Sequence, residues 1–130
     1  MRKIDLHTHS FFSDGSMSPT ELLFHAKEVG LSALALTDHD TVAGIPEAER
    51  AAKENGIEFV PGVEFSTEGI SQVHILGYYI DSSDTSLTEA FRLQQEERKE
   101  NHRAYMKVLC AHGFPMTEEE VRAVAPFGGI

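Results

Sequence analysis

Apolar residues in this chain fall into short runs separated by longer stretches of helical periodicity. Four runs have the length of strands: 3–7 (KIDLH), 31–37 (LSALALT), 57–66 (IEFVPGVEFS) and 72–80 (QVHILGYYI). The run 31–37 is almost wholly apolar, as expected of a parallel strand buried on both faces. Pro61-Gly62 predicts a kink in the third run. Between the first two runs, 10–17 reads as a loop with a turn at Asp14-Gly15. Ser18-Pro19-Thr20-Glu21 then opens a helix, with Ser18 as N-cap, Pro19 at the first helical position and Glu21 completing a capping box. Leu22, Leu23, Ala26 and Val29 form its apolar stripe, and Gly30 ends it. A second helix starts at Pro46 and stops at Gly56. The order strand, helix, strand, helix, strand predicts an α/β fold with a parallel sheet or barrel.

The character of the chain changes after Ile80. Residues 81–85 are a polar linker, 86–111 a long charged helix containing QQEERKENHR, and Gly113-Phe114-Pro115 a break. Thr117 and Glu120 open another helix with a capping box. The chain therefore divides into an α/β part, 1–80, and a helical part, 81–130. No repeats or low-complexity tracts interrupt either part.

Composition narrows the possible functions. The 130 residues are 41% hydrophobic, enough for one folded core. The formal net charge of -10 argues against broad docking on nucleic-acid backbones or membrane headgroups. Bound divalent ions would add positive charge locally, so a phosphate-binding pocket is compatible with that balance. Cys110 is the one cysteine, which excludes an intrachain disulfide. No apolar run approaches the ~20 residues that span a bilayer, and polar residues interrupt the N-terminus at once. The expected location is the cytoplasm.

The candidate chemistry lies at the ends of the strands. His7 and His9 are two residues apart, so in a strand they share a face and can hold one metal ion together. Asp38, His39 and Asp40 follow the second strand, where an Asp alone would more often be a turn or cap residue. Glu64 stands between Val63 and Phe65, and His74 between Val73 and Ile75, two polar islands in apolar strands. An unpaired buried carboxylate is costly, so Glu64 must meet a polar or metal-filled space. Each residue taken singly has an ordinary structural reading. Jointly they converge, because strand C-termini of (β/α) barrels meet at one mouth. Imidazole and carboxylate donors suit zinc, manganese or iron.

The segments DLHTHSFFSDG, ALTDHDTVAG, PGVEFST and VHILGYYI, in that order over about the first 80 residues, resemble the polymerase-and-histidinol-phosphatase (PHP) family. The resemblance implies the N-terminal part of a distorted (β/α)₇ barrel, followed by the start of a helical insertion. It implies two or three divalent metal ions (Mn, Fe or Zn) and hydrolysis of phosphate esters by metal-activated water. By similarity His7 and His9 hold a first metal, Glu64 bridges it to a second bound by His74, and Asp14 and His39 hold a third. Asp38, His39 and Glu64 are the residues on which catalysis is expected to depend. Asp38 and Asp40 are expected to orient the ligands. The helical stretch resembles the stand-alone enzymes of the family that act on nucleotide phosphates or short RNA, rather than the polymerase-attached domain. Arg98 or Arg103 would then meet a substrate phosphate. Their ordinary alternative is a solvated helix face with i,i+4 neighbours such as Glu96–Glu100 and Lys99–Arg103. His25, His102 and His112 read as surface residues.

The family pattern includes later metal ligands, a histidine beyond the insertion and an aspartate and histidine near the barrel's end, which these residues do not contain. The expectation is an N-terminal part of a longer protein, weakly active or inactive alone, that self-associates or packs against the remaining part. Two other readings stay open: hydrolysis of an amide or ring bond at a similar His/Asp site, and a non-catalytic metal-binding or interaction module. The first usually employs a carbamylated lysine, and no lysine lies at a strand end beside the motifs.

Overall fold

The computed structural model describes residues 2–67 and 73–124. It contains β1 (Lys3–Thr8), α1 (Pro19–Glu28), β2 (Leu31–Leu36), α2 (Ile45–Asn55), β3 (Glu58–Ser66), β4 (His74–Tyr78), α3 (Thr85–Ala111) and α4 (Glu118–Val124). The fold is α/β, with a curled sheet in the order β1-β2-β3-β4. Strands β1, β2 and β3 run parallel, as the alternating pattern predicts. Strand β4 joins antiparallel to β3. Only seven residues separate these two strands, too few for the crossover a parallel neighbour needs. The predicted start of β4 at residue 72 lies outside the described residues.

Pro61-Gly62 marks a change of partner within β3. Glu58 to Pro61 pair with β2, whereas Gly62 to Ser66 pair with β4. In a flat sheet β1 and β4 would lie three strand spacings apart, about 14 Å. Yet the Tyr78 hydroxyl on β4 donates to the Leu6 carbonyl on β1 at 2.8 Å. The sheet is therefore strongly curled, and its first and last strands face each other.

Helices α1 and α2 cover one side of this sheet. Leu23 and Ala26 of α1, Ala48, Ala51 and Ala52 of α2, and Leu34, Leu36 and Ile57 form a buried cluster. The alanines let the helices approach closely, while Leu34 and Leu36 share one face of β2 by its two-residue period. Replacing Leu23, which is fully buried, by Ala is expected to cost about 2–5 kcal/mol.

The predicted signals at the helix ends are present. Ser18 and Glu21 form a reciprocal capping box on α1. Gly56 caps α2 at φ 69, a left-handed conformation that glycine adopts without a Cβ clash. Thr117 and Glu120 make the same reciprocal contacts at the start of α4. Val29, expected in the apolar stripe of α1, is instead half exposed at its C-cap.

Helix α3 begins at an Asp84 N-cap, and among its described residues Phe91 is the buried one. Its charge pairs differ from those expected, because Glu96–Glu100 and Lys99–Arg103 are like-charged neighbours. Instead Arg92 bridges Glu89 and Glu96, and Arg103 reaches Glu118 of α4 at 2.8 Å. His25 and His112 are exposed, and His102 is partly so. Among the described residues no helix is long and apolar enough to cross a membrane.

Candidate metal centre

Parallel pairing and curl bring the ends of β1, β2 and β3 together at one edge. The β2 end is tied to β3 by a bridge between His39 and Glu64, with the Glu64 amide donating to the Asp38 carbonyl and the Asp40 amide to the Glu64 carbonyl. The loop after β1 folds back over the same edge. The Ser10 amide, Ser10 hydroxyl and Ser13 hydroxyl all donate to the buried Asp38 carboxylate, at 2.7, 2.7 and 2.8 Å. Gly15 is required there: a Cβ at this position would sit 2.3 Å from the His9 carbonyl oxygen. This turn places Asp14 beside His9, with Oδ1 3.3 Å from Nδ1.

Glu64 is the centre of the arrangement, only 6% exposed. His7 Nε2 lies 2.7 Å from one of its oxygens, His9 Nε2 3.1 Å and His39 Nε2 3.7 Å from the same one. His74 Nδ1 lies 2.9 Å from the other. The rings form an arc: His7 to His9 at 5.0 Å, His9 to His39 at 4.8 Å and His39 to His74 at 4.9 Å between centroids.

Burial by itself would raise the Glu64 carboxyl. Hydrogen bonds from His7 and His74, with charge on His39 and His7, outweigh it and hold the carboxyl below its ordinary range. Burial pushes the His39 imidazole down, assisted by His9 and His74, against the opposing pull of Glu64 and Asp14. An ionised carboxylate and a neutral imidazole are the protonation states that bind metal.

The donor set fits divalent ions. Three triads, His7/His9/Glu64, His9/Asp14/His39 and His39/Glu64/His74, each offer donor atoms within 4.8 Å of one another. They overlap through His9, His39 and Glu64, the pattern of a cluster that shares ligands. His39 Nδ1 is buried and has no hydrogen-bond partner among the described residues. Four imidazoles around one carboxylate would repel one another if all were protonated, whereas a cation between them is accommodated by neutral rings.

The PHP domain family matches residues 5–116. The chain belongs to that family. It is 42% identical over 125 residues to a 5′-3′ exoribonuclease of Haemophilus influenzae, covering 95% of this chain and 46% of that protein. It is 43% identical over 114 residues to a 3′,5′-nucleoside bisphosphate phosphatase of Chromobacterium violaceum, covering 87% and 40%. Two solved structures share the fold. One, from Bifidobacterium adolescentis and described as a metal-dependent phosphoesterase, gives a TM-score of 0.86 at 32% identity, covering 94% of this chain and 43% of the other. The second, from Chromobacterium violaceum, is described as an amidohydrolase with bound sulfate and no metal; it gives 0.82 at 41% identity, covering 87% and 40%. The chain thus spans less than half the length of the curated relatives it matches.

In this PHP domain the remaining candidate residues fall into two places. Asp40 is fully buried, at φ 49, and its carboxylate accepts from the Ser66 amide at 2.8 Å and the Ser66 hydroxyl at 2.6 Å. Arg98 completes that site through an ion pair with Asp40. Gln94 donates to the Ser66 carbonyl and Gln95 to the Asp40 carbonyl. Phe91 packs on Phe65 beneath them, with centroids 5.6 Å apart. Helix α3 is thereby attached directly beside the His39–Glu64 bridge. Arg103 does not share this position, being engaged with Glu118 of α4.

Sequence reasoning missed Ser10, Ser13, Ser66, Gln94 and Gln95. A hydroxyl two residues after Glu64, and others just past His9, were the available signals.

Proposed function

We propose that this PHP domain is part of a metal-dependent phosphoesterase acting on phosphorylated nucleotides or the ends of short oligonucleotides. The observation that supports it best is the convergence of four imidazoles on the buried carboxylate of Glu64, with Asp14 beside His9 and His39. In this reading His7, His9 and Glu64 hold one ion, Glu64 and His74 a second, and Asp14 and His39 a third, with Mn, Fe or Zn the suitable metals. Bound there, the ions supply Lewis acidity that activates water and offsets negative charge developing on phosphoryl oxygens. Asp38 holds the Ser10–Ser13 loop that carries Asp14, and Asp40 holds Ser66 and the end of β3. Arg98 is the proposed contact for a substrate phosphate, being 32% exposed at the edge that carries Asp40 even though it pairs with that carboxylate; Arg103, paired with Glu118 on α4, is the weaker candidate.

The relatives' described activities support a nucleotide substrate, and sulfate bound to one structural neighbour supports a tetrahedral oxyanion site. That neighbour's description as an amidohydrolase keeps amide or ring hydrolysis as the second reading. Residues 1–80 serve as barrel segment and 81–130 as insertion, in a cytoplasmic protein. Turnover by these 130 residues alone is expected to be weak or absent, since the relatives are more than twice as long.

The test is elemental metal analysis with assays of a nucleoside 3′,5′-bisphosphate, a short 5′-phosphorylated RNA and a cyclic amide, using the full-length protein. Metal uptake with phosphate release is expected, and Glu64→Gln is expected to abolish release and lower metal content. Undiminished turnover and metal content in Glu64→Gln would overturn the site assignment. Metal uptake without turnover would favour a binding module, and amide turnover alone the second reading.

A further inference from the structure

The four histidines around Glu64 are not held equally. The side chains of His9 and His39 are 20% and 17% exposed, and their rings stack on one another. His74 is more open, at 38%, but its backbone is registered opposite Ser66 in the β3–β4 ladder. His7 is the most exposed of the four, at 49%, and its strand offers weaker support. The pairing of β1 with β2 shifts register between Asp5 and Thr8, and the Leu6–His7 peptide lies within that interruption.

Two contacts hold this peptide from outside the ladder. The Tyr78 hydroxyl donates to its carbonyl, that of Leu6, at 2.8 Å. Its amide, that of His7, donates to Asp5 Oδ1 at 3.2 Å. Both edges of one peptide plane are therefore anchored, and the residue it carries places Nε2 2.7 Å from Glu64. A peptide plane fixed at carbonyl and amide has little freedom to rotate about its flanking bonds. The direction of the His7 Cα–Cβ bond is then defined without help from packing around the ring.

We propose that Tyr78, acting through the Leu6 carbonyl and assisted by Asp5 on the His7 amide, is a positioning residue that sets His7 against Glu64. This inference rests on the metal-binding reading of the site. It assigns the curl of the sheet a function: the last strand reaches over to the first and fixes a ligand whose own strand leaves it loosely held.

The test uses the full-length protein, with Mn²⁺ titration by calorimetry and the visible absorption of bound Co²⁺ as readouts. His7→Ala first identifies the binding event that depends on His7. Tyr78→Phe keeps the ring and removes the hydroxyl. It is expected to weaken that event about three- to tenfold, the equivalent of one hydrogen bond, and to alter the Co²⁺ bands. Asp5→Ala is expected to act in the same direction. In a His7→Ala background Tyr78→Phe is expected to have no further effect, since residues acting through one another are not additive. Wild-type affinity and Co²⁺ spectrum in Tyr78→Phe would overturn the proposal. So would an equal weakening in the His7→Ala background, which would mark Tyr78 as a general support of the fold. If His7→Ala leaves metal uptake unchanged, or the wild-type protein takes up none, the metal reading itself fails and this inference with it.

Discussion

Asp40 is a carboxylate with no exposed surface whose charged partner, Arg98, lies 58 positions away on α3, the helix that also brings Phe91, Gln94 and Gln95 to this edge of the sheet. Removing the arginine would leave a buried carboxylate with, among the described residues, only the Ser66 amide and hydroxyl as donors. Breaking a buried pair costs about 3–5 kcal/mol, and the partial exposure of Arg98 places the expected loss at about 3. Arg98→Ala should show that loss in urea unfolding, and adding Asp40→Asn should recover part of it by removing the uncompensated charge. A loss below about 1 kcal/mol, the range of exposed pairs, would show that the pair carries little stability. A raised KM with unchanged unfolding would place Arg98 with the substrate instead. Residues such as Glu64 and His74 could be picked out in the sequence because each is a polar residue in an apolar strand. The pairing of Asp40 with Arg98 was not legible, since it depends on where α3 crosses the sheet edge. Nor were Ser10 and Ser13, because loop serines are common and only the fold brings them to Asp38.

Among the elements, α1 shows most directly how local sequence fixes local structure. The reciprocal contacts of Ser18 and Glu21 satisfy donors that the first turn leaves open. Ser18→Ala is expected to lower stability by about 1 kcal/mol in thermal or urea unfolding. The same contacts give α1 a pH dependence. The Ser18 amide and hydroxyl hold the Glu21 carboxyl below its ordinary range. A carboxyl lowered in the folded state stabilises it fully above the unfolded value, about pH 4.5, and that contribution disappears as pH falls through the lowered value. Glu118, held down by Arg103, acts in the same sense at α4. Acid unfolding should therefore steepen below pH 4.5, and Glu21→Gln should flatten the melting-temperature profile there. An unchanged profile in Glu21→Gln would count against the capping contribution. Helix boundaries such as Ser18 and Gly56 were readable because the caps are chemical signals in the sequence. The antiparallel direction of β4 was not stated by its apolar pattern, which reads the same in both directions; the short connection decides it.

At the scale of the whole molecule, curl and charge set the terms of association. Among the described residues strand β1 has no strand partner besides β2, although the Tyr78 hydroxyl of β4 reaches its Leu6 carbonyl. Ile4 and Leu6 on β1 are 58% and 37% exposed. An edge strand with exposed apolar side chains is a template for pairing with another strand. The formal charge of -10 opposes close approach of copies, but it is screened over about 8 Å at physiological ionic strength. Strand pairing is a contact interaction and is not prevented by charges beyond that distance. The 130-residue chain is therefore expected to self-associate with rising concentration, more readily in high salt than in low. Size-exclusion chromatography with light scattering across a concentration series measures this directly. Ile4→Lys puts a charge on this edge strand, a substitution that blunts strand addition, and should shift the population toward monomer. A chain that stays monomeric at every concentration and salt level, with Ile4→Lys indistinguishable from it, would show that β1 is not an associating edge. Association that strengthens as salt is lowered would locate the contact among charged residues instead, with the Arg- and Glu-rich face of α3 the surface to substitute next.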